Sequence, residues 1–466
     1  MKRLFGTDGI RGIAGKELTG TLAHKVGLAT AKMLTTNPFK TAEKTPFGDK
    51  LPVVLIGRDT RSSGDMIISG LSCGLCEGGV NVLNVGILPT PAVAYLTNYY
   101  SFASVGIMIT ASHNPKQYNG IKIIGADGYK LADELEQEVE ELISSINDET
   151  IHSFYGSTIG RVNNEYKETA RTDYLRHISS IFNFDKSRPL TVAIDCSNGS
   201  ASTCYKVIES LGITAEKYNT DLSGEHINEN CGSMHLNFLQ DLMKKEKNNY
   251  DCGIAFDGDA DRCLLVDELG EIVDGDQILA IVGHYLKIHN KLKNDTIVGT
   301  IMSNLGLVNF CGDNDIKFLS TKVGDKYVLE EMLINDCVLG GEQSGHIIFK
   351  EHATTGDGIL TALMVLKVMN ELKLPLSELK ELMNKYPQVS TQITATSKEK
   401  AAFLANTSLR QKIASREKEV LGNKGRVIVR PSGTENCIRI MVEGINKEII
   451  TKLCEEIKEM ILLSKK

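Results

Sequence analysis

The 466-residue chain has no tryptophan and only 10 prolines against 42 glycines, a balance that suggests many tight loops, and its composition excludes wholesale disorder, collagen and coiled coil. It has no long hydrophobic run either. Stretches such as Ile359 to Val368 are broken by charge well before the roughly 20 apolar residues that a bilayer span needs, and no membrane helix is expected. After Lys2 and Arg3 the chain runs into Gly6, Thr7, Asp8 and Gly9, where a signal peptide would need an apolar core; a cytoplasmic location is expected. An excess of one charge is missing too. With 52 Lys and Arg against 59 Asp and Glu the net charge is −7, which excludes a general binder of nucleic acid or anionic membrane and requires any phosphate site to be local. The 11 cysteines are odd in number and sit mostly in apolar runs (Cys196, Cys252, Cys263), the pattern of buried thiols in a reducing compartment. Cys73 and Cys76 form a CxxC with no second such pair and no histidine close by in sequence, so helix packing is expected of them rather than metal or redox work.

What is there is an ordinary globular composition, 42% hydrophobic and 24% charged, long enough for about three domains at about 150 residues each. Three segments repeat one shape, a β-branched run followed by a polar or Gly-rich turn and an amphipathic stretch. They are Val53 to Gly57 with Arg58 to Gly79, Leu190 to Ile194 with Asp195 to Gly212, and Thr296 to Gly299 with Thr300 to Cys311. Each reads as the βα half of a βαβ unit. Leu135, Val139, Leu142, Ile143 and Ile146 have helical spacing, and that helix closes a first domain near residue 157. Residues 35 to 52 read as a surface loop. Ile359 to Met383 reads as two helices divided at Leu374 and Pro375, and Tyr386-Pro387 opens a last region of different content. That region alternates at Gln388 to Thr396, Arg426 to Arg430 and Cys437 to Glu443 and ends in an amphipathic helix from Lys447 to Leu463, an α+β layout.

The sharpest motif is Asp257-Gly258-Asp259-Ala260-Asp261-Arg262 between two apolar runs. Three alternating carboxylates can converge on one hard cation if the loop bends, and Gly258 and Ala260 permit that. An EF-hand is the rival, with Glu268 at the twelfth position, but Arg262 stands where that loop needs Gly and the flanks read as strands. The bland alternative is a solvated acidic turn. Thr110-Ala111-Ser112-His113-Asn114-Pro115 follows an apolar run and suits a reactive loop outside a sheet, or a plain capped turn before Pro. Arg430-Pro431-Ser432-Gly433-Thr434-Glu435, with Arg439 beyond it, combines a guanidinium, hydroxyls and Gly-exposed amides in the manner of a phosphate cradle. Gly340 to His346 brackets polar groups with Gly and suits sugar hydroxyls, or a plain turn. Arg11, Arg58 and Arg61 are further anion-binding candidates, solvent-exposed by default. The GxSxG at Gly70 to Gly74 lies in a helical stretch with no strand before it, so a hydrolase elbow is discarded.

The opening Leu4 to Gly12, the Thr110 to Pro115 loop, the Asp257 to Arg262 loop, the Gly341 to His346 loop and the Arg430 to Thr434 loop follow one another in an order that resembles the α-D-phosphohexomutase superfamily. The resemblance implies an α/β fold of three related α/β domains with mixed sheets (1–157, 158–270, 271–384) plus a C-terminal α+β domain (385–466) around a central cleft. It implies an isomerase in which Ser112 is phosphorylated and Asp257, Asp259 and Asp261 hold one Mg2+ together with a phosphoserine oxygen. Glu342 and Ser344 are then expected on sugar hydroxyls, and Arg430, Ser432, Gly433, Thr434 and Arg439 on the phosphate that does not react. Arg11 and Arg262 would serve the transferring phosphoryl group. His113 and Lys122 are candidates for moving the hydroxyl proton, Lys122 favoured if neighbouring cations depress its pKa. A sugar 1,6-bisphosphate is implied as intermediate or activator, and a monomer or homodimer as assembly.

The sugar loop reads Glu342-Gln343-Ser344 where phosphomannomutase/phosphoglucomutase relatives have Met in the middle, so a hexosamine phosphate is the expected substrate, on the way to amino-sugar nucleotides and cell-wall precursors. One departure stands out. Lys322-Val323-Gly324 is followed by Asp325 where other members carry His, so no acid/base histidine is transferred there. The alternatives are a phosphomannomutase/phosphoglucomutase specificity, or a Ca2+- or phosphosugar-binding protein without turnover.

Overall fold

In the computed structural model, the first strand of each expected repeat lies inside its own sheet, with a parallel neighbour on either side. The structure describes residues 4–6, 8–36, 45–247, 249–432 and 436–464. Part of the loop expected over 35–52, Thr7 of the opening motif, and Gly433 and Thr434 of the expected phosphate cradle lie outside the described residues.

A seven-stranded sheet runs in the order Phe5–Gly6, Gly9–Ile13, Tyr118–Gly125, Ala103–Ile109, Val53–Arg58, Asn81–Ile87, Val162–Asn163. A five-stranded sheet runs Ile272–Val273, Cys263–Asp267, Cys252–Phe256, Thr191–Asp195, Thr214–Tyr218. A four-stranded sheet runs Lys317–Thr321, Thr296–Thr300, Leu339–Gly341, Ile347–Phe349. All three share one four-strand topology. The strand that begins the repeat pairs parallel with the next two, and the third of these pairs antiparallel with a fourth. Ala103–Ile109, Cys252–Phe256 and Thr296–Thr300 are buried along their whole length, which is why they are continuous apolar runs rather than alternating ones.

Helix α1 (Gly20–Thr36) and helix α2 (Gly64–Glu77) pack together beside the first sheet's apolar core. They touch backbone to backbone. A Cβ on Gly27 would lie 2.4 Å from the Leu71 carbonyl oxygen, and one on Gly74 would lie 2.2 Å from that of His24. The GxSxG match is therefore a helix-packing surface inside α2. The expected acidic helix forms as Asp133–Ser145, with Val139 and Ile143 in the core. The second repeat departs from expectation over 195–212, where only a 3-10 turn (Ser200–Thr203) and a five-residue helix (Lys206–Ser210) form. Here the backbone is committed elsewhere. Ser200 N–H donates to the Gly258 carbonyl at 2.9 Å, and a Cβ on Gly199 would lie 2.4 Å from the same oxygen.

Contacts divide the chain into two compact units, Met1–Met302 with Asp315–Leu382, and Ser303–Asn314 with Met383–Lys466. The second unit holds an antiparallel sheet in the order Gln388–Thr394, Cys437–Gly444, Gly425–Pro431, and the C-terminal helix Lys447–Leu463 over the bounds expected. Two helices not separated in sequence lie between them, Ser397–Ala405 and Thr407–Leu421. The signal of the first was the capping box Thr396-x-x-Glu399, hidden in a charged stretch that buries Phe403, Leu409, Ile413 and Leu421. The segment Ser303–Asn314 is held in this unit by bonds from the Leu305 amide to Glu443, from Asn304 to the Tyr386 carbonyl and from Arg426 to the Ser303 carbonyl. Among the described residues no helix is long and apolar enough to cross a membrane.

Candidate active site

Three of the motifs occupy the same place in three repeats. Residues 110–117, 257–262 and 342–346 each connect the third core strand of a sheet to its antiparallel fourth. In the first unit these loops meet. Ser112 Oγ donates to Asp257 Oδ2 at 2.7 Å, Cys263 N–H donates to the Gly345 carbonyl at 3.0 Å, and His346 Nδ1 lies 3.8 Å from Asp261 Oδ2. The Gly356 N–H donates to His346 Nε2 at 3.0 Å, which places the ring proton on Nδ1, facing Asp261.

Ser112 is in a left-handed conformation, φ 50°, unusual for a side chain with a Cβ and held by its surroundings. Its N–H donates to Thr110 Oγ1 at 2.8 Å, and Thr110 Oγ1 donates in turn to Asp59 Oδ2 at 2.7 Å. The Arg61 guanidinium, fully buried, spends all five N–H groups there. Nε donates to Asp59 at 2.9 Å, Nη2 to the carbonyls of Ser112 (2.9 Å) and Asn114 (2.7 Å), and Nη1 to those of Pro115 (2.7 Å) and Tyr118 (2.9 Å). Arg61 is therefore no exposed anion binder but the support of the serine loop. Asn228 Nδ2 adds a bond to the Ser112 carbonyl at 2.9 Å.

Asp257, Asp259 and Asp261 are buried, and each places a carboxylate oxygen within 4.8 Å of the others. Ala260 at φ 52° makes the turn that brings them round. Their flanks are strands, not helices, and burial removes both the EF-hand and the solvated-turn alternatives. Thr90 Oγ1 donates to Asp259 Oδ2 at 2.6 Å, while Asp259 Oδ1 and Asp261 Oδ1 have no hydrogen-bond partner. Buried, orphaned carboxylate oxygens facing one another are costly without a cation, and an all-oxygen set of three suits a hard divalent ion that keeps other positions open. The residues fit Mg2+. Burial, then Asp261 and Asp259, push the Asp257 carboxyl well above its usual range. Burial opposes the Asp261 charge too, but Lys122 and His346 outweigh it and hold that carboxyl well below.

Lys122 Nζ lies 3.1 Å from Asp8, 3.3 Å from Asp259 and 3.6 Å from Asp261. Burial opposes its charge, yet these carboxylates outweigh it and raise its pKa, so the condition that favoured Lys122 as proton acceptor is not met. His113 differs. Burial, then Arg262 and Arg11, lower it to about 4, and its Nδ1 lies 3.4 Å from Ser112 Oγ as a neutral ring. Arg11 pairs with Asp8, a residue of the opening motif whose place among these charges its sequence did not signal. The Nε atoms of Arg11 and Arg262 and the Oγ of Ser344 are buried without a hydrogen-bond partner, a set of polar atoms that suits an oxygen-rich ligand. Glu342 Oε1 accepts from the Gly324 N–H at 3.0 Å, which ties the Gly324-Asp325 turn to the sugar loop. Gln343 is turned to Asp274 at 3.3 Å, on the N-cap of helix Gly275–Ile288.

In the second unit Arg430 and Arg439 are direct cross-strand partners, so both guanidiniums leave the same face of the sheet. The Ser432 carbonyl accepts from Lys400 Nζ at 2.9 Å, and its N–H donates to the Cys437 carbonyl at 2.9 Å.

Most of the chain is matched by family models described as phosphoglucomutase/phosphomannomutase: alpha/beta/alpha domain I over residues 2–150, domain II over 172–270, domain III over 274–386 and the C-terminal domain over 365–460. It is 45% identical over 462 residues to a phosphoglucosamine mutase of Clostridium acetobutylicum and 46% identical over 462 residues to one of Acetivibrio thermocellus, with 99% of both chains covered in each case. Its fold is similar to that of a phosphoglucomutase/phosphomannomutase family protein from Burkholderia thailandensis, with a TM-score of 0.78 at 23% identity over 100% of this chain and 98% of the other. It is also similar to Aspergillus fumigatus N-acetylphosphoglucosamine mutase in complex with GlcNAc-6P and magnesium, with a TM-score of 0.65 at 16% identity over 99% and 96%.

Proposed function

Since the chain belongs to the phosphoglucomutase/phosphomannomutase family, we propose that it isomerises glucosamine 6-phosphate and glucosamine 1-phosphate, the activity for which its full-length relatives are named. One observation carries the reading: Ser112 Oγ, in a left-handed turn, meets the buried carboxylates at Asp257 Oδ2, 2.7 Å away. Phosphoryl transfer needs in-line placement and neutralised equatorial oxygens more than covalent help, and this geometry is suited to that.

Ser112 is the phosphoryl carrier. Its Oγ–P bond breaks as a bond forms from phosphorus to the free O1 of the sugar 6-phosphate, and the O1 proton passes to the protein. The 1,6-bisphosphate turns over; its O6–P bond then breaks, the Oγ–P bond re-forms, and the proton returns to O6. Asp257, Asp259 and Asp261 would hold one Mg2+, which when bound neutralises charge on the transferring oxygens. Arg262 and Arg11 add guanidinium charge there. His113, neutral and beside Oγ, is the proton acceptor in this reading, and a phosphoryl group on Ser112 strengthens it as a base by adding negative charge at its side. Lys122 stays an ammonium that balances Asp8, Asp259 and Asp261. Glu342 and Ser344 take sugar hydroxyls; Arg430, Ser432, Gly433, Thr434 and Arg439 take the other phosphate. The four-part division at 157, 270 and 384 is part of the same reading, as is a small-molecule substrate taken by a monomer or homodimer in the cytoplasm.

The test is a coupled assay of glucosamine 6-phosphate conversion with Mg2+ and a sugar 1,6-bisphosphate, on the wild type and Ser112→Ala. Turnover in the first and its near-abolition in the second are expected. A higher kcat/KM for mannose 6-phosphate would move the chain to phosphomannomutase specificity, and binding without turnover in any condition would make it a phosphosugar-binding protein.

A further inference from the structure

The CxxC of α2 has a histidine beside it after all, supplied by the fold rather than by the sequence. Because Gly27, Gly70 and Gly74 let α1 and α2 meet backbone to backbone, His24 on α1 is brought against the end of α2. His24 Nε2 lies 2.8 Å from Glu77 Oε2, and Cys73 Sγ lies 3.7 Å from Glu77 Oε1. Cys73 and Glu77 are four residues apart, one above the other on the same helical face. The three donor atoms lie within 4.8 Å of one another, and the Cys73 side is open to solvent. Cys76 packs against the domain core and does not join them.

We propose that His24, Cys73 and Glu77 form a second metal site, for Zn2+, on the outer face of the α1–α2 pair. The donor chemistry separates it from the acidic trio. One imidazole nitrogen, one thiolate and one carboxylate oxygen make the borderline-soft set that Zn2+ takes, whereas Mg2+ takes oxygen alone. A thiolate and a carboxylate also balance the two charges of the ion. Binding breaks the Cys73 Sγ–H bond, forms the metal–sulfur bond and releases the proton to solvent. Three protein donors leave a fourth tetrahedral position to water, so the site is an accessible one that exchanges its ion and pins α1 to α2 while loaded.

Co2+ serves as the probe, added to the full-length enzyme kept saturated with Mg2+. One equivalent is expected to give a thiolate-to-cobalt charge-transfer band with tetrahedral d–d bands, displaced by Zn2+. Cys73→Ser should abolish the charge-transfer band and leave Mg2+-dependent mutase turnover unchanged, since Cys73 touches nothing in the active site. His24→Gln should weaken binding by at least about 100-fold, since losing a ligand costs no less than losing one of its outer hydrogen-bond partners; Glu77→Gln is the second such variant should His24→Gln not fold. Asp259→Asn should leave the band intact. No saturable band at any Co2+ concentration, or a band that survives Cys73→Ser, overturns the proposal.

Discussion

Arg61 donates to the carbonyl of Ser112 at 2.9 Å while its Nε is paired with Asp59, so a buried guanidinium sets the backbone of the proposed phosphoryl carrier. Lysine has three donors on a flexible stem and cannot reproduce five bonds fixed in one plane. Arg61→Lys is expected to lower kcat by up to about 100-fold, as expected when a reacting atom moves by about 1 Å, with KM little changed. Arg61→Ala strands Asp59 and four carbonyls and should cost about 3–5 kcal/mol, read by denaturant unfolding.

The carboxylate trio makes a linked prediction about metal and stability. Asn at position 257 resembles the protonated carboxyl that burial and its neighbours favour, so without metal Asp257→Asn should be at least as stable as the wild type. Mg2+ should raise the wild-type unfolding free energy, by about 2.7 kcal/mol at 100 times its Kd. The variant should lose both that increment and turnover. Calorimetry with and without Mg2+ checks this.

Asp357 gives a pH dependence. Burial pushes its carboxyl from 3.8 up to about 6, although it accepts bonds from the Leu360 amide at 2.9 Å and the Tyr174 hydroxyl at 2.8 Å. A raised folded pKa means the folded state holds the proton more tightly, so stability falls as pH rises from about 4 to about 6 and the loss is complete above that. Asp357→Asn has no such loss. Its stability relative to wild type should improve by about 2 kcal/mol between pH 4 and pH 7, measured by unfolding at each pH. A flat difference would show an unshifted carboxyl.

Much of this was legible beforehand, for stated reasons. Ala103–Ile109 and Cys252–Phe256 are strands covered on both faces, so they announce themselves as apolar runs, and each motif that follows is a loop at the carboxyl end of its strand. What sequence could not supply is proximity across long separations. Thr90 and Lys122 reach the acidic loop from two other elements, Asp8 pairs with Lys122 beside it, and none of the three carries a local signal for that meeting. Arg61 reads as a surface arginine until its five acceptors are placed. Gln343, the residue that pointed to an amino sugar, donates to Asp274 at 3.3 Å, a contact no local pattern announces.

In the second unit, Arg430 and Arg439 project side by side from one sheet face. Losing a bidentate arginine–phosphate contact is worth about 1.5–3 kcal/mol per charged hydrogen bond. Arg430→Ala should raise KM and lower kcat together and should make turnover depend on added glucose 1,6-bisphosphate, because the intermediate escapes. Steady-state assays with and without that activator decide it. Unchanged KM and no new dependence would make the segment an ordinary turn.

The central claim is that Ser112 carries the phosphoryl group, and peptide mapping by mass spectrometry tests it most directly. After incubation with glucose 1,6-bisphosphate and Mg2+, the account predicts a phosphate adduct on the peptide containing Ser112. With an adduct bearing 18O-labelled phosphate, adding unlabelled glucosamine 6-phosphate should move the label from Ser112 into the sugar phosphate while the adduct itself re-forms, and Ser112→Ala should show none. An enzyme that turns over with no adduct at Ser112, or a Ser112→Ala variant that works at the wild-type rate, would contradict it.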